Sequence, residues 1–113
     1  MPRNMSFFLT TQQMRDRTKT VTRRDGWEFL KPGDVLNAVV KARGLKKGEK
    51  VEVIGQIRVL NTRRETLSDV TPYDVIREGF PEMSVEEFRK MFIATHKTWD
   101  TTRRITRIEF EHL

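Results

Sequence analysis

The chain has 113 residues, of which 36% are hydrophobic and 34% charged; it has no cysteine and a formal charge of +6. That length fits one domain of residues 1–113, and seven Phe, two Trp and the aliphatic residues suffice for one thin core under a large wetted surface. The absence of cysteine excludes a disulfide framework, a thiol nucleophile and thiolate metal sites, while the basic balance favours a polyanion such as RNA or DNA.

Met5–Leu9, "MSFFL", reads as a short buried strand. The apolar part of "MPRNMSFFLTTQQ" is too short for a signal peptide, and no stretch approaches the ~20 apolar residues that span a bilayer. A cytoplasmic protein with no membrane partner is therefore expected. Thr10 and Gln13 stand at capping-box spacing and predict about two turns of helix over "TTQQMRDR". The stretch "RTKTVTRRDGWEFLKPGD" follows, and its Pro32-Gly33 turn leads into a strand over Val35–Lys41. "GLKKGEK", Gly44–Lys50, lacks the spacing of a phosphate loop and reads as a basic hairpin loop.

"KVEVIGQIRVLNTRRETL" reads as the next strand, with Val51, Val53, Ile57 and Val59 alternating onto one face around Gly55, which marks a bulge or a barrel corner. Thr71 is placed as an N-cap, Pro72 as the first helical residue and Gly79 as the stop. Ser84 and Glu87 form a capping box, Met83 can staple to Phe88, and Val85, Phe88 and Phe92 share one helical face. Thr106, Ile108 and Phe110 alternate in a closing strand. The order β, short α, β, β, two helices, β predicts an α+β fold, with a small, strongly bent mixed sheet closing into a barrel and short helices packed around it.

Chemistry-bearing residues are few. Only His96 and His112 could offer imidazole, and they are far apart, so no metal site or cofactor is expected. In an extended segment Lys19, Val21 and Arg23 share one face and Thr20, Thr22 and Arg24 the other. The segment is then an edge strand with solvated charges. A bent segment would instead bring Lys19 to Thr22. Glu78, just before the helix-ending Gly79, either stays in water or faces Lys19 across a pocket as a charge pair.

"KTVTRR" after a short helix, "KPGDVL", "REGFPEMSVEEF" and the terminal "TRIEFEHL" together resemble the ASCH family, which is similar to the PUA domains of RNA-modifying proteins. Nearly the whole chain is covered. The resemblance implies a small β-barrel and a basic cleft lined by Lys19–Arg24 that binds RNA or a nucleoside. Lys19, Thr20, Arg23, Arg24, Arg63 and Arg64 are then the ligand-binding and phosphate-tracking set, and Trp27 or Phe29 a base-stacking ring. Trp27 packed on the barrel is the competing reading.

Some small bacterial members are amidohydrolases acting on 4-acetylcytidine. For them the resemblance implies Thr22 as nucleophile, Lys19 as its base and Glu78 as proton shuttle. An N–H or an arginine donor, from Arg23 or Arg24, would then have to stabilise the oxyanion. Other members are reported to cleave RNA, which adds a ribonuclease reading. Relatives usually carry glycine two residues before the lysine, where this chain has Arg17, so the turn there is expected to be built differently. Nothing in the sequence specifies an oligomer, and a monomer is expected.

Overall fold

The computed structural model describes residues 2–42, 44–96 and 102–113. Its strands are β1 (Arg3–Ser6), β2 (Val21–Arg24), β3 (Val35–Val39), β4 (Val53–Thr66) and β5 (Arg104–His112). Three short helices accompany them: α1 (Thr11–Arg15), α2 (Pro72–Arg77) and α3 (Val85–His96). The strands form one mixed sheet in the order β1-β3-β4-β5-β2, parallel only between β1 and β3. The sheet curls into a half-barrel, giving the expected α+β architecture.

The first predicted strand is corrected. Pairing with β3 begins at Arg3 and ends at Ser6, after which Phe8–Thr10 turn into a 3-10 segment that runs into α1. Phe7 still enters the core, whereas Phe8 and Leu9 are 63% and 60% exposed. Thr10 is the N-cap of α1 by position but makes no side-chain capping bond, and the helix is only five residues long.

The glycine-marked irregularity lies where expected, with a register shift at Ala38/Val39 beside the Ala38–Gly55 pair. Ile57 and Val59 are buried as read, but Val53, the first residue of β4, is 57% exposed. β4 also continues through the polar "NTRRET" to Thr66. Pairing with β5, not apolar alternation, carries that half.

The helix signals hold at α2 and α3. Thr71 Oγ1 accepts from the Asp74 N–H, Pro72 is the first helical residue, and Gly79 follows the C-cap at φ +103°. Ser84 and Glu87 exchange the two bonds of a capping box.

The core is double. One cluster, including Met5, Phe7, Leu36, Ile57, Ile108 and Phe110, fills the half-barrel. The other, including Leu67, Val75, Phe88, Phe92 and Ile105, seals α2 and α3 against the outer face. β5 is therefore buried on both sides, which is why Arg107 and Thr106 are as buried as their apolar neighbours. Among the described residues no helix is long and apolar enough to cross a membrane.

Candidate ligand cleft

The disputed segment resolves as both an edge strand and a cleft floor. β2 is the last strand of the sheet, paired only with β5, yet Lys19, Thr22 and Arg23 are 2%, 3% and 3% exposed. The Lys19 and Arg23 charges are not solvated, because α2 packs on this edge and brings Asp74 and Glu78 to pair with them.

Lys19 is set by a tight turn after α1. Arg17 adopts φ +62°, the left-handed conformation that glycine holds most cheaply, so the turn survives its glycine's absence. The Thr18 and Lys19 N–H groups both donate to the Gln13 carbonyl, at 3.0 and 3.4 Å. His112 Nε2 donates to the Lys19 carbonyl at 2.7 Å, which fixes its proton on that nitrogen. Thr20 bonds through its backbone, from its N–H to the Arg77 carbonyl at 2.8 Å, and does not line the cleft.

Glu78 arrives from the C-terminal end of α2. Lys19 Nζ donates to its Oε1 at 2.8 Å and to its carbonyl oxygen at 2.7 Å. The two side chains are 3% and 4% exposed, so this is a buried ion pair. Gly79 has no room for a side chain, since a Cβ there would lie 2.8 Å from Gln13 Cγ.

Thr22 projects from β2 with its Oγ1 accepting from Arg24 Nε at 3.1 Å, and the Arg24 guanidinium lies 4.7 Å over the Phe7 ring. Lys19, Thr22, Arg23, Arg24 and Glu78 all border one cleft of about 220 Å³. Phe7, Phe80, Phe88 and Phe92 wall it, and exposed Phe8 and Leu9 lie along its border. His96 stacks on Phe92, with ring centroids 3.8 Å apart, and also borders it.

The electrostatics favour a reactive amine. Burial pushes the Lys19 pKa down; Glu78 opposes this, and Arg24 and Arg23 add to it. Burial likewise lowers Arg24, to about 10, against the pull of Glu78. For Arg23, burial acts downward, but Glu78, Asp74 and Glu65 outweigh it and raise the pKa. The site therefore offers a hydroxyl, an amine with a weakened hold on its proton, and a carboxylate beside that amine.

The other expected ligand residues lie elsewhere. Arg23 borders the cleft, but its side chain has no exposed surface and both terminal nitrogens go to carboxylates, so it is not free to follow phosphates. Arg63 turns to Glu65, and Arg64 is tied to Glu28 and Thr106. Neither borders the cleft. Trp27, at φ +57°, packs on the half-barrel core and beside Phe29, their rings 5.6 Å apart. The two rings share a separate hollow with Arg3, Asn4 and Asp25.

The aromatic wall was legible only as core. Phe88, Phe92 and His96 are spaced four apart, so His96 belongs to the row that was read as a packing face.

A mixed half-barrel with three short helices and a cleft beside its edge strand defines the chain's class: it has an ASCH-like fold of the PUA-like type. No family model matches the sequence, and no curated protein matches it. Solved structures similar over almost the whole chain include the following three. Protein EF3133 from Enterococcus faecalis V583, described as DUF984, aligns at TM-score 0.73 and 12% identity, over 100% of this chain and 76% of its own. The hypothetical protein PH0355 aligns at 0.68 and 17% over 100% of both chains. The ASCH domain from Lactobacillus crispatus JV V101 aligns at 0.66 and 13%, over 97% and 78%. At these identities the likeness is one of fold.

Proposed function

We propose that the cleft binds the base of a nucleoside, free or at an accessible position in single-stranded RNA. The observation that carries this is the placement of the buried Lys19–Glu78 pair and the Thr22 hydroxyl beside aromatic walls in a cleft of about 220 Å³. That volume lies below the ~300–1,000 Å³ of drug-sized sites and suits one ring system. A base offers flat faces for phenylalanine rings and a polar edge for amine, hydroxyl and carboxylate. The formal charge of +6 suits a phosphate-bearing chain outside the cleft.

Affinity for a cytidine-containing single-stranded RNA, measured across salt, tests the reading. A counterion-release slope is expected, and in Arg24→Gln it should shrink by about 0.7 for each phosphate that Arg24 neutralises. A weak, salt-independent response would remove RNA as the partner.

A second reading, hydrolysis of an N-acylated cytidine, is favoured by the weakened proton hold of Lys19 in the cleft that Thr22 also borders. With Lys19 as the free amine, Nζ takes the Thr22 proton while Oγ1 bonds to the acyl carbon. The carbon–nitrogen bond then breaks, and the proton passes by way of Glu78 to the departing exocyclic amine. Water hydrolyses the acyl-threonine ester, releasing the acid and restoring the hydroxyl. Arg24, already donating to Oγ1, is placed to serve as a cationic donor for the oxyanion. Incubation with 4-acetylcytidine should release cytidine, and Thr22→Ala or Lys19→Met should abolish the release. A wild-type protein that releases none is a binding module only.

A further inference from the structure

The carboxylate that faces Lys19 does not belong to Lys19 alone. Glu78 gives Oε1 to Lys19 Nζ and Oε2 to Arg23 Nη1, the latter at 3.1 Å. Arg23 Nη2 bonds Asp74 Oδ2 at 2.5 Å and Glu65 Oε1 at 3.3 Å. Asp74 is gripped again by Arg107, from Nε to Oδ2 at 3.2 Å and from Nη2 to Oδ1 at 3.0 Å. Arg23 and Arg107 are direct partners across β2 and β5. Asp74 and Glu78 lie four apart along α2, so the arginine pair holds one face of that helix against the sheet. At six residues α2 is too short to persist without such packing. Three buried cations (Lys19, Arg23, Arg107) thus face three buried carboxylates (Glu65, Asp74, Glu78), with Arg63 and Arg77 at the half-exposed rim.

We propose that Arg23 is the positioning residue of the cleft. By holding Glu78 Oε2 and tethering it through Asp74 to Arg107, it aims Oε1 at Lys19 and leaves the amine only part of that carboxylate's charge. The proposal rests on the reading that Lys19 and Glu78 meet the ligand. It makes Arg23 part of the machinery without ligand contact, in place of a phosphate or oxyanion role. The charged groups facing Lys19 are Glu78 from α2 and Arg23 and Arg24 from β2, with His96 of α3 bordering the same cleft. His112 of β5 meets only the Lys19 carbonyl.

The test is an NMR titration of the Lys19 side chain in the free protein, its signal assigned by its loss in Lys19→Met. Arg23→Gln removes a cation near the amine, so the midpoint should move up. Asp74→Asn removes an anion and leaves Arg23 more fully on Glu78, so the midpoint should move down. A clamp that only held the fold would loosen in both variants and move both midpoints up, toward the solvated value. Shifts in the same direction, or no shift, overturn the proposal. Arg23→Lys should not restore the wild-type midpoint, since an ammonium cannot span three carboxylates. Where Arg23→Gln does not fold, the direction in Asp74→Asn decides alone.

Cytidine binding by the wild type is measured separately. Opposite midpoint shifts without binding would sink the nucleoside reading and keep the Arg23 tether. Binding without the shifts would do the reverse.

Discussion

Replacing Glu78 by glutamine probes the pair at the cleft floor. Glu78→Gln keeps the shape but leaves Lys19 and Arg23 facing a neutral amide in a site where their side chains are 3% and 0% exposed. Breaking a buried pair from one side costs about 3–5 kcal/mol, because the remaining charge is uncompensated. At about 4 °C per kcal/mol for a chain of this size, the melting temperature should fall by on the order of 12–20 °C. Lys19→Met should cost less, since Glu78 keeps Arg23 as partner. In the double variant the unpaired-ammonium penalty disappears, so its loss should be smaller than the sum of the singles by about 1–3 kcal/mol. Urea unfolding followed by tryptophan fluorescence measures all four corners of the cycle. The coupling should persist in 1 M salt, which screens exposed pairs but not buried ones. Additive losses, or a Glu78→Gln cost below about 1 kcal/mol, would refute the buried pair.

Three further outcomes follow from the same geometry. Arg17→Gly relieves a left-handed residue costing about 1–2 kcal/mol and gives back about 0.5–1 in glycine entropy, so it should gain roughly 0.5 kcal/mol in urea unfolding, whereas Arg17→Ala should gain none. Burial acts to raise the Asp74 pKa, but Arg107 and Arg23 overcome it and hold the carboxyl at about 2, against an ordinary 3.8. Its stabilisation is therefore complete above the ordinary value and lost as pH falls toward 2. About 2 kcal/mol of acid sensitivity in that window should be missing from Asp74→Asn. Gly79→Ala puts a methyl against Gln13 at a φ of +103° and should both destabilise the fold and, through the Gln13 bonds to Lys19, weaken ligand binding.

Much of the frame was readable where local chemistry is decisive. Thr71-Pro72, Ser84 with Glu87, and Gly79 fixed the helix ends because each satisfies or releases specific backbone groups. The alternation of Thr106, Ile108 and Phe110 gave the closing strand. The "MSFFL" strand was misplaced because apolar content does not separate Phe7, which packs inward, from Phe8 and Leu9, which border the cleft. β4 keeps to the stretch read as the alternating strand, and its polar half holds without an apolar face because a strand paired by its neighbours needs none of its own.

At the cleft, Lys19, Thr22 and Glu78 were selected by resemblance, and the fold brings all three to one cleft from segments 59 residues apart. Asp74, Glu65 and Arg107 were invisible as a group. Their pairing depends on β2, β4, β5 and α2 meeting, and single charged residues carry no periodic signal. Asp74 and Glu78, four apart on a short helix, were the one local hint.

The most direct test of the cleft as a nucleoside site is an amide chemical-shift map of the protein titrated with cytidine. Saturable shifts should centre on Thr22, Glu78, Phe92 and His96, and should vanish in Lys19→Met while that variant stays folded. Shifts confined to the Trp27–Phe29 hollow, or none at millimolar cytidine, would contradict it.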